Sequence, residues 1–146
     1  ETIDSTPPDD RSQRIETAVE LAEQAIARFP DNPHAQFALF CSLGRQLETS
    51  SNPLRSVFLV RRAHRAVQKA LALQPTYVDA LVAHGAMLRR LPWMLGGDKT
   101  QAESLMRRAI SLDPAFLPAH RELAHLLQAQ GRGDEAHLID VARALD

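Results

Sequence analysis

AESLMRRAISLDPAFLPA, residues 102–119, carries the spacing that decides the fold. With Pro114 as anchor, alanines stand twelve and five positions before it (Ala102, Ala109) and five after it (Ala119), and Ile110 lies four before. The same intervals recur around Pro75, with Ala63, Ala70, Leu71 and Ala80, and around Pro30, with Ala18, Ala25, Ile26 and Ala35. Nine coincident alanines mark an internal repeat rather than a bias of composition. Small residues let two helices approach closely while larger neighbours fill the grooves beside them. Each anchor proline falls where one helix has stopped and before the next begins, positions at which proline is tolerated.

Outward from the anchors, apolar residues recur at intervals of three and four. Ala18, Leu21 and Ala25 share a face, as do Ala35, Leu39 and Leu43, and Leu123, Leu126 and Leu127. This pattern predicts seven helices, at 12–28, 34–49, 54–73, 77–91, 99–112, 116–130 and 134–145. Asn52-Pro53, Asp98 and Gly133-Asp134 supply start signals, and Gly131 a stop. No strand-like alternation with turn punctuation is present in the sequence. Residues 1–11, acidic and containing Pro7 and Pro8, are expected to be a flexible tether, and residues 12–146 a single repeat domain.

Composition agrees with helices. The 146 residues are 45% hydrophobic and only 5% aromatic, with six glycines. Net charge is −1, which argues against a dedicated nucleic-acid binder. The single cysteine, Cys41, can neither close an internal disulfide nor supply a multi-cysteine metal site. It leaves the compartment open: the cytoplasm, or the periplasm after removal of a leader. No apolar run approaches the ~20 residues of a spanning helix, and no leader peptide is legible.

The residues resemble the tetratricopeptide repeat (TPR) family over about 12–145. The last unit matches through Ala119, Leu123, Ala124, Leu127, Gly131 and Ala136, the middle one through Gly85, Leu88, Gly97, Ala102, Ala109 and Pro114. The resemblance implies an all-α, right-handed α-solenoid of about 3.5 helical hairpins. The anchors lie 45 and 39 residues apart, against the 34 usual in that family. The surplus is expected between the two helices of a hairpin, around 46–54 and 91–95. The chain starts on the second helix of a unit. The segment Leu91-Pro92-Trp93-Met94-Leu95-Gly96-Gly97-Asp98 is similar to the lengthened turn of an atypical subgroup. That subgroup includes periplasmic proteins accompanying TRAP-type transporters and the regulators of microtubule dynamics.

In such a solenoid the first helix of each hairpin lines a concave groove. The implied lining is His34, Phe37, Cys41 and Arg45, then Asp79, Val82, Ala86, Arg89 and Arg90, then Pro118, Arg121, His125 and Gln128. Arginine forks suit carboxylates, so an acidic or C-terminal peptide is the expected ligand. The terminal-carboxylate grip of chaperone-binding TPR domains is not expected, because Phe37, Cys41 and Ala83 occupy its stations. Charge is uneven: four basic against nine acidic residues in 1–49, ten against three in 50–110, three against six in 111–146. The basic middle reads as solvated helix faces, or alternatively as a seat for an acidic partner.

Other chemistry is weakly marked. His120 and His125 suggest a zinc-protease pair, but five residues apart they fall on different helical faces, where that chemistry needs four. Cys41 reads as a small packing residue rather than a reactive thiol. Gly96-Gly97-Asp98 reads as a turn with a helix cap rather than a phosphate nest. Trp93 is expected to pack the long turn onto adjacent helices, with an exposed Trp93–Met94 patch as the alternative. Leu138, Ile139, Val141 and Leu145 continue the apolar pattern to the end, which suggests self-association or a lost solvating helix.

The sequence therefore points to a non-enzymatic interaction module holding a peptide or protein segment, with no catalytic, cofactor or metal residue assigned. A periplasmic small-molecule or lipid-binding accessory of a transporter, with a closed apolar pocket near Phe37, Val82 and Trp93, is the alternative. An enzyme or metal protein ranks last.

Overall fold

The computed structural model describes residues 8–137. Six α-helices lie wholly within the described residues, in order α1 Pro8–Arg28, α2 Pro33–Glu48, α3 Pro53–Leu73, α4 Val78–Arg90, α5 Lys99–Leu112 and α6 Leu117–Ala129. A 3-10 turn, Trp93–Leu95, lies between α4 and α5, and the described residues contain no strand. Residues 133–137 are helical and open the expected seventh helix. Its remainder, with Leu138, Ile139, Val141 and Leu145, lies outside the described residues.

Local chemistry accounts for the helix starts. The Asn32 side chain accepts hydrogen bonds from the His34 and Ala35 amides, with Pro33 opening α2. Asn52 does the same for Leu54 and Arg55, with Pro53 opening α3. Asp98 accepts from the Gln101 amide at the head of α5. Each cap satisfies backbone donors that would otherwise have no partner, and proline at the first position removes one such donor. The same tolerance lets α1 begin at Pro8. Residues 8–11 therefore belong to the first helix and not to a tether; residues 1–7 lie outside the described residues.

The chain divides after Pro75 into two units. In the first, α2 packs against both α1 and α3. Its core is Ile15, Val19 and Ala22 of α1, Ala35 and Leu43 of α2, and Leu59, Ala63, Ala66, Val67 and Ala70 of α3. In the second, α5 packs against α4 and α6, and α4 also meets α6. Leu88, Met106, Leu123, Leu126 and Leu127 form its centre, closed by Ala102, Ala124 and Ala136. Each large side chain so buried contributes about 1.5–3 kcal/mol.

Two expectations need correction. The surplus length of the first hairpin does not sit in its turn, which is only residues 49–52; it lengthens the helices, to 16 and 21 residues against 13 and 14 for α4 and α5. Only the second hairpin has a long turn, residues 91–98. The face of α1 with Ala18, Leu21 and Ala25 is also not its core face. Ala18 and Leu21 are exposed and Ala25 is half-buried, while Ile15, Val19 and Ala22 point inward. The counterpart alanines Ala63, Ala70, Ala102 and Ala109 are all buried, because α2 lies on α3 and α4 on α5. No helix precedes α1 among the described residues.

Candidate interaction surfaces

In the first unit the sequence-assigned residues of α2 form one outward stripe. His34, Cys41 and Arg45 are exposed and Phe37 is half-buried, its ring stacked on Phe40 at 6.0 Å between centroids. The intervals of three and four place them along one side of the helix. A second feature escaped sequence reasoning. Gln36 and Leu39 of α2 face Arg62, Arg65, Ala66 and Lys69 of α3 across an open depression of about 290 Å³. Three cations around an apolar floor suit an anionic group with an apolar neighbour. Arg62 is shared with α1 through an ion pair to Glu23. The signal was in the basic middle of the sequence, but only the pairing of α2 with α3 gathers it.

In the second unit the assigned residues separate. Asp79, Arg90, Arg121, His125 and Gln128 are exposed, and Ala86 is half-buried. Val82 is only 6% exposed, so it packs the interior and is not available to a ligand. Arg89 donates to Glu122 Oε2 through Nε at 3.2 Å and Nη2 at 2.9 Å, while Arg90 Nη2 lies 3.5 Å from Glu122 Oε1. This clamp joins the end of α4 to α6 and takes Arg89 out of the set of available cations.

A second charged network closes the other side of this unit. Arg132 donates to Glu103 at 2.7 Å and to Glu135 at 2.8 Å, and Arg107 lies 2.8 Å from Glu103 and 3.6 Å from Glu135. Hydrogen bonds from Arg132 hold the Glu103 and Glu135 carboxyls below the usual range. Its bonds to Glu135 and Glu103 push the Arg132 guanidinium up in turn.

The turn after α4 presents its side chains outward. Trp93 is 82% exposed and Met94 74%, so Trp93 is not an internal anchor. The backbone beneath them is tightly braced. The Gly97 amide donates to Pro92 O at 3.0 Å and the Asp98 amide to Leu88 O at 3.1 Å. Gly96 has φ +90°, and a Cβ on Gly97 would come within 1.9 Å of Leu91 O. The glycine pair thus closes a loop that Trp93 does not need to hold.

The histidines behave as separate residues. His120 is buried and its Nε2 donates to Pro114 O at 2.7 Å, whereas His125 is exposed. No group of three or more metal-ligating side chains occurs among the described residues, and none of the described helices is long and apolar enough to cross a membrane.

No protein-family model matches the sequence, and no curated protein matches it. Solved structures do. One is TTC0263, a thermophilic TPR protein of Thermus thermophilus, 20% identical with a TM-score of 0.76 over 90% of this chain and 64% of that one. Another is a mutant of MamA, 22% identical with a TM-score of 0.63 over 91% of this chain and 69% of that one. A third is MamA MSR-1, 21% identical with a TM-score of 0.60 over 86% and 63%. These likenesses establish the fold class, an all-α solenoid of tetratricopeptide type. The chain spans less than two thirds of the Thermus protein.

Proposed function

We propose that the chain is a non-enzymatic protein-interaction module that holds a peptide or protein segment on the outward faces of the first helices of its hairpins. The observation that carries this reading is the α2 stripe, in which a half-buried Phe37 sits between exposed His34, Cys41 and Arg45. An apolar centre flanked by a cation is the composition of a small recognition surface, and a prebuilt helix face binds with little ordering cost. Taken by itself, the second unit also presents exposed cations suited to acidic segments, Arg90 and Arg121, while Arg89 is committed to Glu122. The TPR-type fold supports the same reading, since hairpin arrays of this kind offer extended binding faces.

The test is selection of peptides by display against the whole chain, followed by titration against Phe37→Ala and Arg45→Glu. Binding of the selected peptides should weaken at least tenfold in either variant. Selected peptides that bind both variants as tightly as the parent would refute the assignment.

A further inference from the structure

We propose that the depression between α2 and α3 is a seat for a phosphate monoester, a dianion carried on a short carbon stem. This is independent of the α2 reading, because Gln36 and Leu39 lie on the opposite side of α2 from His34, Phe37, Cys41 and Arg45. On α3, Arg62, Arg65 and Lys69 are spaced by three and four, and so share one side of the helix with Ala66. Buried Ala66 and half-buried Leu39 give the space its apolar floor, and the three cations and the Gln36 amide surround it, over about 290 Å³. Arg65 and Lys69 stand four apart, the spacing at which like charges on a helix repel each other. The helix α3 carries no carboxylate of its own to relieve that repulsion. An anion between the two side chains turns it into attraction.

The charge count selects the ligand. Arg62 donates to Glu23 of α1, and its guanidinium lies over the Phe58 ring at 5.8 Å from the centroid. It is therefore held in place and largely neutralised, while an arginine has five donors and Glu23 takes one bond. Among the described residues, Arg65 and Lys69 have no carboxylate partner, and they leave two positive charges to be met. A carboxylate meets one of them. A phosphate monoester carries about −1.5 to −2 near neutrality and three strong acceptor oxygens, so it meets both. Leu39 and Ala66 then receive the carbon that bears the phosphate. The seat is not a general product of hairpin packing. At the equivalent positions the second unit has Leu81, His84, Gln101, Ser104, Leu105 and Arg108, one arginine in place of three arginine or lysine side chains.

The test titrates three probes into the whole chain and reads backbone amide shifts by NMR. They are phosphoserine blocked at both ends, aspartate blocked in the same way, and inorganic phosphate. Blocked phosphoserine should give saturable shifts at residues 36–39 and 62–69 and bind about tenfold tighter than blocked aspartate. Inorganic phosphate, which lacks the stem, should bind more weakly than blocked phosphoserine. Arg65→Gln with Lys69→Gln, both at exposed positions, should weaken phosphoserine binding about tenfold without lowering the melting temperature. Glu23→Gln, which releases Arg62, should tighten it about threefold. Four outcomes overturn the proposal: no saturable shifts, binding that the double variant leaves intact, an equal loss in Arg61→Gln outside the depression, or no gain in Glu23→Gln. Uptake of the chain on vesicles of anionic lipid, with no shift by blocked phosphoserine, would give these cations to a membrane surface and equally overturn it. Extending the probe to a phosphopeptide separates the sources of the ester. Tighter binding marks a modified protein segment and unchanged binding a small phosphate ester, and both uphold the seat.

Discussion

The Arg89 guanidinium grips Glu122 with two nitrogens, at 2.9 and 3.2 Å from one carboxylate oxygen, and so ties the last turn of α4 to α6. Both side chains are largely shielded from solvent, at 19% and 16% exposure. Removing one partner leaves the other charge poorly solvated. Glu122→Ala is expected to lower stability by about 1–3 kcal/mol. Denaturant unfolding of both single variants and of Arg89→Ala/Glu122→Ala should show the double variant costing less than the sum of the singles.

Gly85 permits the close crossing of α4 over α5. A Cβ there would lie 3.2 Å from Ala102 O and 3.2 Å from the Met106 methyl carbon. The methionine end can give way but the Ala102 carbonyl is backbone, so Gly85→Ala should cost up to about 1 kcal/mol in spite of better helix propensity. Gly85→Val has no such room and should destabilise by about 1–3 kcal/mol, read from the melting temperature of the purified chain.

Gly97→Ala should disrupt the turn of residues 91–98, because the new methyl meets the Leu91 carbonyl at 1.9 Å. The expected sign is faster hydrogen exchange at the Gly97 and Asp98 amides, whose acceptors are Pro92 O and Leu88 O. Gly133→Ala, with open space around its Cβ position, is the control.

The carboxyls of Glu103 and Glu135 are held low by Arg132. A depressed carboxyl stabilises the fold above its unfolded value and loses that contribution as pH falls through its folded value. Stability of the parent should therefore fall with acidification below about pH 4.5, the ordinary glutamate range. In Arg132→Ala this part of the acid dependence should flatten, which urea titrations at a series of pH values will report.

Trp93, the single tryptophan, should emit as a solvated indole and be quenched freely by iodide. Trp93→Ala should change stability by no more than about 0.5 kcal/mol. A buried anchor would instead be shielded from quencher and cost about 3–5 kcal/mol on truncation.

Features encoded within a few residues were legible in the sequence. Asn52-Pro53, Asp98 and the alanine–proline intervals act through caps and helix faces, and the helices stand where those signals put them. Features that depend on a distant partner were not. Ala18 and Ala63 occupy the same register, yet one is in solvent and the other in the core, since only the neighbouring helix decides. Arg89 looked available until Glu122, 33 residues on, was placed beside it. Val82 and Trp93 exchanged expectations for a related reason. The α4 face turned inward includes Val82, whereas backbone bonds around Gly97 relieve Trp93 of any packing duty. The length of α3 was legible as well: expected at 54–73 from an apolar pattern that runs from Val57 to Leu71, the helix spans Pro53–Leu73.

Thiol labelling at three equivalent positions tests the central claim, a repeated hairpin with one uncovered copy of the alanine face. In a Cys41→Ser background, Ala18→Cys, Ala63→Cys and Ala102→Cys are each reacted with a maleimide under native conditions. The account predicts rapid labelling at position 18 and labelling at 63 and 102 only as fast as the fold opens. Equal rates at all three positions, or protection at 18, would contradict it.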